Sequence, residues 1–146
     1  MVDNKDKRII EELVKDSRQT TSQLSKKLNI PITTIHNRIK KLIETGVVIN
    51  YTVNLNHQLL GRTIPAYIWI SINYNIPGKK INQSEISSQI KKVDGVYEVC
   101  ILTGGSDVLV KVLVKDINEL NLLVTEKLRN IPGIDKTQTS IILKEL

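Results

Sequence analysis

From Ser17 to Ile43 the chain carries Arg18, Lys26, Lys27, Arg38, Lys40 and Lys41 with no Asp or Glu among them. Cations at that density suit a polyanion, because each Lys or Arg can neutralise a phosphate and release a condensed counterion. Among them stand Thr33, Thr34 and Asn37, whose donors and acceptors have the length needed to reach base edges in a duplex groove. Arg18, Lys26, Lys27, Lys40 and Lys41 suit phosphates, contacts that fix register rather than read sequence. Arg38 could do either, and His36 reads as an ordinary polar contact on the same surface. A charge run can also be a plain solvated face. The two readings separate on whether the intervening residues build elements that present the cations together.

They do. Asp3 precedes Ile9, Ile10, Leu13 and Val14 at helical spacing, which predicts a first helix over 4–15. Asp3 and Asp6 complement the dipole at its start. Thr20-Thr21-Ser22-Gln23 fits a capping box opening a second helix that buries Leu24 and Leu28. Asn29-Ile30-Pro31 then makes a short turn, with proline where a third helix can begin. That helix, from about Pro31 to Thr45, buries Ile32, Ile35, Ile39 and Leu42, leaves the polar and cationic residues outside, and stops at Gly46. The second helix of such a helix-turn-helix unit lies in the DNA major groove and offers its N-terminal residues to the bases. Val47–Val53 reads as a strand, a wing or linker.

Charge supports the same division. The chain has 146 residues and a net charge of +6. Residues 1–50 carry ten basic and six acidic side chains, a net of +4, against eleven and nine in the rest, a net of +2. The single cysteine, Cys100, excludes an internal disulfide framework and fits a reducing compartment. No apolar run reaches the roughly 18 residues of a membrane span, and the N-terminus is too charged for a signal-peptide core. A soluble, cytoplasmic chain without membrane contact is expected. Phe is absent, so Ile, Val and Leu must make the core.

After a polar hinge, Asn54–Gly61, the pattern changes. Ile64, Ala66, Ile68, Ile70 and Ile72 alternate with Tyr67, Trp69, Ser71 and Asn73 as a strand. A helix over 83–92, strands over 96–103 and 108–114, a helix over 117–130 and a last strand over 137–143 follow. The order β-α-β-β-α-β is the ferredoxin-like arrangement. Its helices cover one sheet face, yet Leu109 and Leu113, beside Lys111, leave the other face short of polar residues. A second copy of the sheet is the simplest cover, giving a symmetric dimer.

The chain resembles the Lrp/AsnC family of prokaryotic transcription regulators over nearly its whole length. The resemblance rests on Val2-Asp3…Asp6…Ile9-Ile10…Leu13, Ser17-Arg18, Leu24-Ser25, Val47-Val48-Ile49…Tyr51 and Leu60-Gly61. It continues through Val96…Glu98…Cys100, Thr103-Gly104…Asp107 and Ile131-Pro132-Gly133-Ile134. It implies an α+β chain: an N-terminal winged helix-turn-helix (residues 1–50), a linker strand and hinge (51–62), and a ferredoxin-like βαββαβ (RAM) domain (63–146) that binds effector and oligomerises. It implies homodimers assembling further to tetramers or octamers, an amino-acid effector and no other cofactor. The effector region falls here on Thr103, Gly104, Gly105, Ser106 and Asp107, with Asn121, Thr125, Thr137 and Thr139 as further lining. Backbone N–H groups near the glycines can hold a carboxylate, and Asp107 can meet an ammonium. Two departures stand out: Pro31 replaces a frequent Ser at the start of the third helix, and Ser106 stands where an aromatic is common.

An enzyme is poorly supported. Cys100 sits in a strand pattern that suits a small core residue, His36 and His57 lie in different elements, no metal-ligand spacing occurs and no phosphate-cradling loop is present. The expected function is sequence-specific DNA binding under amino-acid control. The alternative is a non-specific architectural DNA-binding protein, which would need no small-molecule site; a stand-alone amino-acid sensor would leave the basic helix unexplained.

Overall fold

The computed structural model describes residues 2–144. They divide into two compact units, one up to Asn54 and one from Leu55 onward.

The first unit is three helices, α1 (Asn4–Lys15), α2 (Thr21–Leu28) and α3 (Ile32–Glu44). Both expected caps form. The Asp6 N–H donates to Asp3 Oδ1 at 2.9 Å and the Asp3 N–H to Asp6 Oδ2 at 3.0 Å. At α2 the Gln23 N–H donates to Thr20 Oγ1 at 3.2 Å, and the Thr20 N–H to Gln23 Oε1 at 2.8 Å. Each reciprocal pair satisfies donors that a helix start leaves open. Asn29 ends α2 with φ 53°, a left-handed conformation that Asn tolerates better than most residues. Pro31 stands just before α3 and contributes no side-chain cap.

Ile9, Leu13, Leu24, Leu28, Ile30 and Ile35 form the core, with Ile39 packed against it. Two residues expected inside lie outside it: Val14 is 81% exposed and Ile32 46%. Ile9 and Leu13 are four apart and share the inward line of α1, whereas Val14 is turned about 100° from Leu13. Ile32 is the first residue of α3 and, unlike Ile35, is no part of the core cluster. Val47–Val53 corrects a further expectation, for it forms no strand. Its alternate residues Val47, Ile49, Tyr51 and Val53 are exposed, and no described strand lies beside it to supply a ladder. The Val48 N–H turns back instead to the Leu42 carbonyl.

The second unit is β1 (Ile64–Ile72), α4 (Gln83–Lys91), β2 (Val96–Ile101), β3 (Val108–Val114), α5 (Ile117–Leu122) with a π-helical continuation (Leu123–Leu128), and β4 (Ile134–Ile141). The strands are antiparallel in the order β2-β3-β1-β4, the ferredoxin-like topology. Ala66, Ile68, Ile70, Val108, Val110, Val112 and Val114 pack on Ile86, Ile90, Leu120, Leu123 and Leu128 of the helices. Gly133 is buried with φ +104°, and a Cβ there would lie 2.6 Å from Ile86 Cδ1. Only glycine lets β4 start this close to α4. The opposite sheet face carries Tyr67, Trp69, Cys100 and Leu109, none of them fully buried.

Candidate functional site

On α3 the side chains of Thr33, His36, Asn37, Lys40 and Lys41 are exposed and Thr34 is half-buried. The fold therefore presents the expected face. Its charges are less free than the sequence suggests. Glu12 lies 3.3 Å from Lys27 Nζ, Asp16 lies 3.4 Å from Arg18 Nε, and Glu44 lies 3.8 Å from Lys40 Nζ. A segment without acids in sequence acquires them in space from α1 and from the end of α3. These pairs are exposed, so each is weak and can be exchanged for a phosphate at little cost. Among the described residues Lys26 and Lys41 have no acidic partner.

Arg38 is engaged within the first unit: Nη1 donates to Asp3 Oδ2 at 2.5 Å and to Asp6 Oδ1 at 2.8 Å. The side chain is 26% exposed and that of Asp6 9%. The guanidinium thus ties the middle of α3 to the capping box of α1 and fixes the angle at which α3 is offered. Arg8 makes a matching brace, its Nη2 donating to the Leu28 carbonyl at 2.9 Å. Sequence reasoning missed both braces, since contacts 20 and 32 residues apart leave no local signal.

The Asp6 N–H and then Arg38 hold the Asp3 carboxyl below its ordinary 3.8. The Asp3 N–H first, and Arg38 with it, outweigh burial to lower Asp6 also. A carboxyl depressed in the folded state stabilises above its unfolded pKa, and that stabilisation is lost as pH falls through the folded value. Thermal unfolding of the first unit followed from about pH 6 to about pH 3 should show falling stability below about pH 4, with a shallower fall in Asp6→Asn. Parallel acid profiles for the two proteins would remove Asp6 from this role.

In the second unit, Gly105 and Ser106 border a cleft of about 560 Å³ with Trp69, Ser71, Arg129, Asp135, Lys136, Thr137 and Gln138. Of the expected effector residues, this gathers Gly105, Ser106 and Thr137. Thr103, Gly104, Asp107, Asn121, Thr125 and Thr139 do not line it. Asp107 is already engaged: Oδ2 accepts the Ile72 N–H at 2.7 Å and Oδ1 the Tyr74 hydroxyl at 2.8 Å. Its carboxylate fastens the β2–β3 hairpin to the end of β1. Thr125 donates its hydroxyl to the Asn121 carbonyl at 2.8 Å, one turn back, and Thr139 pairs with Ile68 on β1. The period-two pattern of β1 could have placed Trp69 and Ser71 on the open face; Arg129 and Asp135 had no such signal.

Cys100 is half-buried on β2, with burial first among the causes that raise its thiol pKa, which disfavours a reactive thiolate. Among the described residues no His, Cys, Asp and Glu cluster could hold a metal, and no helix is long and apolar enough to cross a membrane.

A three-helix unit presenting a polar and cationic helix, followed by a βαββαβ unit with a ligand-sized cleft, defines a DNA-binding regulator with a ligand-binding domain. Residues 2–49 match the winged helix-turn-helix DNA-binding family and residues 66–146 the Lrp/AsnC ligand binding domain. The chain belongs to the Lrp/AsnC family of transcriptional regulators, proteins that are not enzymes. It is 40% identical to an uncharacterized HTH-type transcriptional regulator of Pyrococcus furiosus, over 97% of this chain and 92% of that one. It is 36% identical to the HTH-type transcriptional regulator FL11 of the same organism, over 99% and 91%. Among solved structures, a transcriptional regulator of Neisseria meningitidis in complex with L-Met superposes with a TM-score of 0.91 and 26% identity, covering 100% of this chain and 92% of that one. AsnC of E. coli shares the fold, with a TM-score of 0.86 and 24% identity over 99% and 94%.

Proposed function

We propose that this protein is a sequence-specific transcription regulator whose assembly or DNA affinity responds to an amino acid. The observation that carries this reading is the exposed Thr33–Lys41 face of α3 in one chain with a cleft in an Lrp/AsnC ligand binding domain. On this reading residues 1–50 bind DNA, 51–62 link, and 63–146 bind effector and assemble. Thr33, Thr34, His36 and Asn37 face bases; Arg18, Lys26, Lys27, Lys40 and Lys41 face phosphates. Arg38 is a positioning residue. A second copy covers the open sheet face around Tyr67 and Leu109, and the pair assembles further into tetramers or octamers. Two helix-turn-helix units in one particle read two half-sites. The L-Met held by the Neisseria regulator supports an amino-acid ligand, and the regulator acts in the cytoplasm, where its DNA lies.

The test has two arms. Selection from random duplexes should yield one enriched, pseudo-palindromic sequence bound about a thousandfold or more above bulk DNA at physiological salt. Near-equal affinity for all duplexes would instead establish the architectural role. A thermal-shift screen of the common amino acids, with particle mass recorded for each hit, should return at least one that stabilises the protein. No hit would end the effector assignment.

A further inference from the structure

The cleft beside Ser106 carries a charge pattern that a simple zwitterion does not balance. Two cations, Arg129 and Lys136, and one carboxylate, Asp135, line it. Among the described residues none of the three has an ion-pair partner. Arg129 Nε donates to Thr137 Oγ1 at 3.2 Å, and its terminal nitrogens have no acceptor among the described residues. That placement depends on the π-helical turn: the Arg129 N–H reaches back five residues to the Val124 carbonyl, at 3.1 Å. The widened turn sends Arg129 to β4 in a register that an α-helix would not give. Such turns are frequent at functional sites.

Resting on the amino-acid reading above, we propose that this cleft selects a dicarboxylic amino acid of the glutamate or aspartate class. Asp135 receives the α-ammonium. The Gly105–Ser106 backbone and the Ser106 hydroxyl hold one carboxylate, and Arg129 with Lys136 hold the other. The Trp69 indole, 37% exposed at the side of the cleft, covers the methylenes between them. One ammonium and two carboxylates make the ligand −1, against +1 in the lining. Leucine and methionine leave both cations unanswered, and lysine adds a third. The small Ser106 side chain leaves space for the second carboxylate to reach the cations.

Calorimetric titration of the full chain with L-glutamate, L-aspartate, L-glutamine, L-leucine, L-lysine and glutarate tests the proposal. Glutamate or aspartate should bind about tenfold or more tighter than glutamine, the uncharged match for glutamate's shape. Arg129→Ala and Lys136→Ala should each weaken glutamate far more than glutamine and so remove most of that preference, and Arg129→Lys should retain part of it. Glutarate lacks the ammonium and should bind more weakly than glutamate in the natural protein but equally in Asp135→Asn. Tighter binding of glutamine, leucine or lysine would overturn the dicarboxylate assignment and leave the amino-acid reading standing. No binding of any of the six would overturn the dicarboxylate assignment, and an empty thermal-shift screen of the common amino acids beside it would overturn the amino-acid reading as well.

Discussion

Replacing Ile35 with alanine should abolish DNA binding near 37 °C while the ligand-binding unit stays folded. Ile35 is fully buried and sits where α3 meets the other two helices. Truncating a buried isoleucine to alanine costs about 2–5 kcal/mol, through lost transfer energy and the cavity left behind. The first unit has six buried hydrophobics in its core cluster, and a domain that small holds little stability in reserve. Scanning calorimetry should show its unfolding moved to lower temperature, and mobility-shift titration should show operator affinity lost with it. Ile32→Ala is the matched control: three residues away and 46% exposed, it should leave both nearly unchanged. Full DNA affinity in Ile35→Ala at 37 °C would mean that α3 does not depend on this core.

The second large effect concerns charge. Lys26→Glu combined with Lys41→Glu should lower affinity for every duplex by about a hundredfold or more at physiological salt. These are the two cations of the 17–43 segment that no described carboxylate answers, so their contribution to binding is not offset by breaking an ion pair first. Loss of a phosphate contact acts alike on all sequences, so the preference for one operator over bulk DNA should persist. A plot of log affinity against log salt should become shallower by about one for each lysine that met a phosphate. An unchanged slope would put both lysines off the DNA. Lys40→Ala should do less, because Glu44 already shares its charge.

The sequence made the helices and strands readable wherever one local rule acted alone. Asp3 and Asp6, Thr20 and Gln23, and Gly46 mark ends through side chains and backbone angles confined to a few residues. The Val108–Val114 strand is legible for the same reason, each alternate valine meeting the helices. Val47–Val53 misled because its alternation is real while its ladder partner is absent from the described chain. The site was harder. Cationic residues on α3 could be named from periodicity, but their pairing could not, since Glu12 reaches Lys27 across 15 positions and Asp3 reaches Arg38 across 35. Asp107 illustrates the limit. A loop aspartate beside two glycines suits a ligand as well as a turn, and its contacts with Ile72 and Tyr74, 35 and 33 positions away, leave no local signal. The π-helical turn had no herald in sequence either, because its extra residue preserves an ordinary apolar stripe through Leu120, Leu123, Val124 and Leu128.

The thirteen residues of α3 keep two kinds of work apart. Ile35, Leu42 and Arg38 hold the helix in place, whereas Thr33, His36 and Asn37 project from it and support nothing else. On the proposed reading of DNA, a lineage rewrites which operator it reads by exchanging those three positions, one at a time, with the scaffold untouched. Duplicated copies of such a gene can part company in their targets long before they diverge in shape.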